Sequence, residues 1–261
     1  MLVTGPTAEP IDLLEAKAHL RVTGTDDDTL IQALIAAARE HVETWTRRAL
    51  IRQTRSHRLD RFPAGDIVLP VSPLRSVDSI TYVDTAGVPQ TLDASRYQVA
   101  AGEPPRIRPA YGQTWPATLS VLDAVTVTCT VGHAVPFTAD ANTDILTAQG
   151  HGLANGDTVQ LYNSGGALPA GLDASTTYYV VNATADTLQL ATTAGGAAVD
   201  ITDTGSGTHY LGVVPTPIRQ AMLLMVGHLY ENREASISGT IITELPMGVE
   251  ALLAPYRVLR F

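Results

Sequence analysis

Seven histidines (His19, His41, His57, His133, His151, His209 and His228) and one cysteine, Cys129, are the residues best suited to metal or nucleophilic chemistry. A zinc protease needs two histidines one helical turn apart with a glutamate between them, and no pair here has that spacing. One cysteine cannot build a thiolate cluster, nor an internal disulfide, and it fits a chain made in a reducing cytoplasm. Gly150-His151-Gly152 and Gly205-Ser206-Gly207 are the glycine-rich candidates. A phosphate cradle needs a strand before it and a helix after it, whereas these have β pattern on both sides. A nucleophile elbow needs glycine two residues either side of the serine, which Ser206 lacks. The expectation is a chain with no catalytic residues, no metal and no cofactor.

Charge is the stronger signal. Arg47, Arg48, Arg52, Arg55, Arg58 and Arg61 make a basic run. It reads as a solvated face or as a contact for an acidic protein surface in preference to a nucleic-acid platform, because no aromatic residues interleave for base stacking. Between Phe137 and Val213 the pattern inverts. Asp140, Asp144, Asp157, Asp173, Asp186, Asp200 and Asp203 occur there without one lysine, arginine or glutamate. The net charge of −9 therefore arises mostly in that stretch, and so sharp a break points to two joined units. At the chain end, Tyr256, Arg257, Leu259, Arg260 and Phe261 follow Pro255. Aromatic and arginine side chains are frequent interface anchors, so this tail reads as a binding segment or as one that docks on its own subunit.

The elements that must carry these residues alternate in kind. Asp12 and Glu15 form a capping-box pattern ahead of Leu13, Leu14, Ala16 and Leu20, with Gly24 as the expected stop. Asp26, Asp27 and Asp28 open a second helix whose apolar stripe runs Ile31, Leu34, Ile35, Ala38, Val42 and Trp45, with Arg47 and Arg48 expected in its last turn. From Gln53 the period becomes two. Strands are expected near Arg55–Leu59, Ile67–Leu69, Val77–Val83, Leu92–Val99, Arg106–Arg108 and Ala124–Val131, with a hairpin turn at Asp84–Gly87. In the acidic stretch, Ile145–Thr147, Thr158–Tyr162, Thr176–Ala183, Thr187–Ala191 and Ala198–Ile201 read as short strands of a sandwich or barrel. Helix returns after Thr216, the expected N-cap, and Pro217. It runs to Ala235, is apolar nearly all round at Ala221–Val226, and contains Gly227. An ordinary surface helix has one apolar stripe, so this one must be covered on more than one side. The residues from Ser236 to Thr243 read as a weakly structured linker, followed by a short helix near Val249–Leu253.

Several segments carry a resemblance. Leu14-Glu15-Ala16-Lys17-Ala18-His19-Leu20-Arg21-Val22, the Asp26-Asp27-Asp28 start, Ala36-Ala37-Ala38-Arg39-Glu40, Ile80-Thr81-Tyr82-Val83-Asp84 and Pro109 to Pro116 resemble, in order and spacing, the head–tail connector (adaptor) family of tailed bacteriophages. So do Pro217-Ile218-Arg219-Gln220-Ala221, Gly227 to Glu234 and Ala254-Pro255-Tyr256-Arg257. The resemblance implies an α+β fold: a helical bundle with a small antiparallel sheet, split as residues 1–133 and 215–261. Residues 134–214 depart from it as an inserted all-β sandwich or barrel-like module. It implies a structural virion protein of the head–tail neck, made in the host cytoplasm, forming a ring of twelve beneath the portal. It implies no enzyme activity and no membrane. The implied partners are the portal protein, a tail-side neck, stopper or terminator protein, further copies of the chain, and DNA close by in the channel. On that reading Tyr256, Arg257, Leu259, Arg260 and Phe261 insert into the portal or a neighbouring subunit. Met222, Met225, Val226 and Leu229 face a ring neighbour, and Arg47, Arg48, Arg52 and Arg55 meet an acidic partner or the channel. The alternative is a virion surface or host-binding module in which the β insert provides the main function.

Overall fold

The computed structural model describes residues 1–232 and 247–259. In chain order its elements are β1 (Leu2–Thr4), α1 (Leu13–Leu20), α2 (Asp28–Thr46), β2 (Gln53–Leu59), β3 (Ile67–Val68), β4 (Leu74–Val83), β5 (Pro89–Thr91), β6 (Tyr97–Ala100), β7 (Arg106–Pro109) and β8 (Val125–Val131). There follow β9 (Val135–Asp140), β10 (Ile145–Thr147), β11 (Thr158–Ser164), β12 (Thr177–Val181), β13 (Thr187–Ala191), β14 (Thr208–Leu211), α3 (Thr216–Glu231) and α4 (Met247–Leu253). The class is α+β. Two compact units divide the chain. One holds Met1–Thr7, Arg47–Gly132 and Val258–Phe261; the other holds Ala8–Thr46 and His133–Arg257.

The first unit is built of sheets. An antiparallel sheet has the order β1-β2-β8-β4-β5, and a smaller one the order β3-β7-β6. β8 is central because alternation places Val125, Val127, Cys129 and Val131 on one buried face, where they meet Ile80, Leu74, Ile67, Leu69 and Ile107. Phe62 closes this core, stacked on Trp115 at 4.9 Å. The hairpin between β4 and β5 turns as expected at Asp84, whose carboxylate accepts from the N–H groups of Ala86 and Val88. Leu92–Val99 is not one strand. Asp93 caps a short 3₁₀ turn over Ala94–Arg96 before β6 begins, because its carboxylate offers Ser95 N–H a local acceptor. Gly132, at the end of β8, needs glycine: its φ is +133°, and a Cβ would lie 2.7 Å from the backbone of Arg52.

The second unit contains the helices and a closed barrel. Asp12 caps α1 by accepting from Leu14 N–H at 2.8 Å. The helix stops before Gly24: Arg21 takes the left-handed conformation at φ 58°, and Val22 N–H returns to Lys17 O. The α2 stripe is as expected, with Ile31, Ile35, Ala38 and Val42 buried. Arg47 and Arg48 are not in its last turn. The helix ends at Thr46, and Arg47 leaves it with φ 58°. α3 begins at Thr216 with no side-chain cap, its N-cap position being Pro215. It is described to Glu231, and the expected stretch to Ala235 and the linker Ser236–Thr243 lie outside the described residues. Its all-round apolar character is met within the chain, since α1, α2 and α4 all pack on it. Gly227 faces α1, where a Cβ would meet His19 Nε2 at 3.6 Å, an ordinary contact.

The barrel runs β10-β13-β12-β11-β14-β9 and closes through β9 with β10, antiparallel throughout. Leu146, Val159, Leu161, Tyr178, Val180, Leu188, Leu190, Phe137 and Leu211 fill it. Ala198–Ile201 is not one of its strands, although Ile201 is buried beside it. β9 and β14, absent from the sequence expectation, complete it. Closure removes the exposed edges an open sheet would present.

Candidate functional site

The residues expected to make contacts fall in three places. In the first unit the arginine run is dispersed. Arg48 is buried and forms a two-pronged ion pair with Glu103. Arg55 donates to Gln53 Oε1 at 3.2 Å, and Arg58 pairs with Asp123 at 3.1 Å. Arg47 and Arg52 are half-buried. Burial, together with the nearby Arg52 guanidinium, lowers the pKa of Arg75, whose Nη1 donates to Gly132 O. Three members of the run, Arg48, Arg55 and Arg58, thus have side-chain partners within their own unit.

On α3, Met222, Met225 and Val226 are buried inside their own unit, Leu229 is half-buried, and Leu224 is the exposed apolar side chain. At the chain end, Arg257 lies over the Trp45 ring at 5.1 Å. Tyr256 is half-buried, Val258 buried and Leu259 54% exposed. Arg260 and Phe261 lie outside the described residues. Part of the tail is therefore seated on its own subunit, and Leu259 is its outward apolar group.

A third place was missed. On β11 and β14 the period of two turns Leu161 and Leu211 into the barrel and Tyr162 and Tyr210 out of it. The two tyrosines stack at 4.4 Å, and Arg219 of α3 lies over Tyr162 at 4.8 Å. Arg219 Nη2 donates to both oxygens of Glu15, each at 2.7 Å. Ser164 Oγ accepts from Asp12 N–H at 2.6 Å and donates to Glu15. Thr208 donates to Asp12, while the tyrosine hydroxyls donate to the carbonyls of Pro10 and Glu9. Burial raises the pKa of both tyrosines, so the hydroxyls stay protonated donors. The capping box is thereby replaced: Ser164 takes the role of acceptor for Asp12 N–H, and Glu15 is drawn to Arg219. Glu15 was visible as a capping residue, and the parity of Leu161 against Tyr162 was the available signal for the rest.

The acidic stretch has a structural explanation. Six of its seven aspartates accept backbone N–H bonds, within turns or from one loop to another: Asp140 from Asn142, Asp144 from Ile201, Asp157 from Ala154, Asp173 from Ser175, Asp186 from Gly150, and Asp203 from Ala170 and Gly205. Backbone N–H donors hold Asp140 and Asp203 below the usual carboxylate range; for Asp173 the Ser175 hydroxyl leads and its N–H adds. His209 is held through both ring nitrogens, by Asn163 at 2.8 Å and Thr204 O at 3.0 Å. Tyr178 belongs to the barrel core, and Tyr162 and Tyr210 to the junction with the helices. Among the described residues no group of three or more histidine, cysteine, aspartate or glutamate side chains could hold a metal ion, and no helix is long and apolar enough to cross a membrane.

No curated protein matches the chain in sequence. Its fold is similar to a chain in "Neck of empty GTA particle computed with C6 symmetry" and to one in "Virion of native gene transfer agent (GTA) particle", each with a TM-score of 0.58 and 18% identity over 100% of this chain and 96% of that one. A chain in "Neck of native GTA particle computed with C12 symmetry" is similar at a TM-score of 0.53 and 17% identity, over 100% and 97%. These likenesses span the barrel as well as the helices and sheets, and at such identity they concern the fold. In sequence, residues 10–100 match the family described as "Phage gp6-like head-tail connector protein", the family the opening helices and first strands resemble.

Proposed function

We propose that the chain is a structural subunit of the head–tail neck of a phage-like particle, an adaptor that forms a ring beneath the portal and links the capsid to the tail. The match of residues 10–100 to the head–tail connector family carries this reading. A fold similar to chains of gene transfer agent necks supports it. On this reading the protein is not an enzyme and takes no cofactor. Its work is to present surfaces to further copies, to the portal and to a tail-side neck protein, close to the DNA channel. The end of the tail, Leu259, Arg260 and Phe261, is the segment assigned to the portal or a neighbouring subunit, and Leu259 is exposed. Leu224 and Leu229 are the α3 residues left for a ring neighbour, the rest of that apolar helix being used internally. The alternative, a host-binding module, has less behind it, because Val213 is the one exposed large hydrophobic side chain of residues 134–214.

Native mass measurement of the full chain, alone and mixed with the portal of the same particle, tests the reading. A closed ring of about twelve copies is expected. A monomer in both conditions rejects it. Removing Leu259, Arg260 and Phe261 while keeping the buried Val258 is expected to abolish portal capture without changing the melting temperature.

A further inference from the structure

The two units carry opposite charge. Met1–Thr7, Arg47–Gly132 and Val258–Phe261 hold eleven arginines against seven carboxylates, a net +4; the remainder holds six cations against nineteen carboxylates, a net −13. Two of them, Arg106 and Asp200, are exposed. On the small sheet, Asp66 lies between two arginines. Arg108 takes it in two bonds, Nε to Oδ1 at 2.7 Å and Nη2 to Oδ2 at 3.0 Å. Arg106 is left at 3.7 Å from the same carboxylate and is 55% exposed. Strand alternation puts both arginines on the outer face of β7, with the exposed Val68 paired across from Arg106 and Gln98 across from Arg108. In the barrel the odd residue is Asp200. It is exposed, and it alone of the seven aspartates caps no backbone N–H among the described residues. The segment it belongs to, from Phe137 to Val213, contains no lysine or arginine.

We propose that the outer face of the β3-β7-β6 sheet of one copy docks on the acidic barrel of a second copy, with Arg106 meeting Asp200. The inference rests on the ring reading and names a contact within it. The occupant follows from charge: a sheet face with one cation in surplus suits a barrel whose segment carries seven aspartates and no lysine or arginine. Contacts between unlike patches of successive copies are heterologous, and heterologous contacts close into rings when the rotation permits. An exposed ion pair adds little affinity by itself, and its main effects are on the rate, register and salt dependence of association.

The test uses the full chain with the portal of the same particle as assembly partner, followed by light scattering and native mass measurement. Arg106→Glu and Asp200→Arg, each alone, are expected to slow ring assembly about tenfold at low salt, an effect that shrinks as salt screens the charges. The double variant, with the charges exchanged, is expected to recover most of the parent rate. Parent rings with both single variants unaffected overturn this contact and leave the ring reading standing. Slowing without recovery in the double variant overturns the pairing of these two residues. Absence of rings from the parent chain itself overturns both readings.

Discussion

The barrel and the sheets of the first unit are both antiparallel β structure, yet they use their surfaces in opposite ways. The barrel has no open edge, no exposed large hydrophobic residue, and acids that serve its own turns. The sheet unit leaves β1 and β5 as edges, exposes Val68, Val88, Val99, Tyr111, Val121 and Leu122, and pairs Arg48, Arg58, Arg106 and Arg108 with carboxylates distant in sequence. Acidity in the barrel thus largely serves its own loops: Asp140, Asp173 and Asp203 bond the backbone N–H two positions on, and Asp144 and Asp186 tie one loop to another. A charged segment need not be a binding surface. What distinguishes the two regions is which side chains the fold leaves outside: several large apolar ones on the sheet unit, and on the barrel mainly polar ones and Asp200.

The most severe way to break the comparison is to remove one side of it. If the barrel were a self-contained graft, deleting Ala134–Val214 and closing the gap with a short glycine–serine turn would leave the helices intact. We expect the opposite. The deletion takes away Ser164, Tyr162 and Tyr210, and with them the partners of Asp12 N–H, Glu15, Arg219 and the carbonyls of Glu9 and Pro10. The shortened chain should lose cooperative melting of its helical circular dichroism. A sharp transition near the parent temperature would establish the barrel as a graft.

A single substitution asks the same question more gently. Arg219→Met keeps the apolar stem but removes the charge facing Glu15, leaving a carboxylate that is only 22% exposed without its cation. Breaking such a pair from one side costs about 3 kcal/mol, much of it the penalty of the stranded partner. Urea denaturation should register that loss. Replacing both residues, Glu15→Gln with Arg219→Met, should restore part of it. Equal losses in the single and double variants would mean that packing on Tyr162, and not charge, holds the junction.

How much of this was legible depended on the range of the interaction. The α2 stripe and the β8 alternation were readable because each is a local period imposed by one buried face. β9 was not, since Pro136 breaks its pattern and proline argues against a strand interior. β14 is only four residues long, too short for alternation to register. The partners of the arginine run were hidden for a different reason. Arg48 answers to Glu103 and Arg58 to Asp123, fifty-five and sixty-five positions away, and no spacing rule reports such pairs. The junction formed by Glu15, Ser164 and Arg219 joins residues up to 204 positions apart, and only closure of the barrel brings them together.

Two glycines sharpen the contrast between a load placed on packing and one placed on a turn. Gly132 and Gly156 both have positive φ, +133° and +94°. A Cβ on Gly132 would strike the Ile51–Arg52 backbone at 2.7 Å, whereas one on Gly156 has nothing within 4 Å. Gly156→Ala should cost only the left-handed backbone term, about 1 kcal/mol. Gly132→Ala adds a displacement of the neighbouring strand entry, for a total of about 3 kcal/mol. Chemical denaturation of the two variants side by side reads the difference. Similar losses would mean that the strand entry at Arg52 yields without cost.

The smallest expected effect is one of pH, and it too separates the two regions. Burial lowers the pKa of His209 from its ordinary 6.5; the bond to Thr204 and the charge of Asp203 oppose this without cancelling it. The folded barrel therefore prefers the neutral ring, with Nδ1 accepting from Asn163 and Nε2–H donating to Thr204 O. The unfolded chain binds a proton at a higher pH than the folded one. Stability from this group is complete above pH 6.5 and falls as the pH drops through 6.5 toward the lowered value. Hydrogen exchange at pH 7.5 and 5.5, corrected for intrinsic rates, should show β11 and β14 losing protection at the lower pH. In the sheet unit the contrasting group is Cys129, a thiol that burial pushes up to about 11, so that it is protonated at both pH values and adds no slope there. His209→Gln should flatten the barrel response while leaving β2, β4 and β8 as they were. If the slope in β11 and β14 survives that substitution, another group carries it, and the barrel owes its turn at Thr204 to hydrogen bonding that does not depend on the ring's charge.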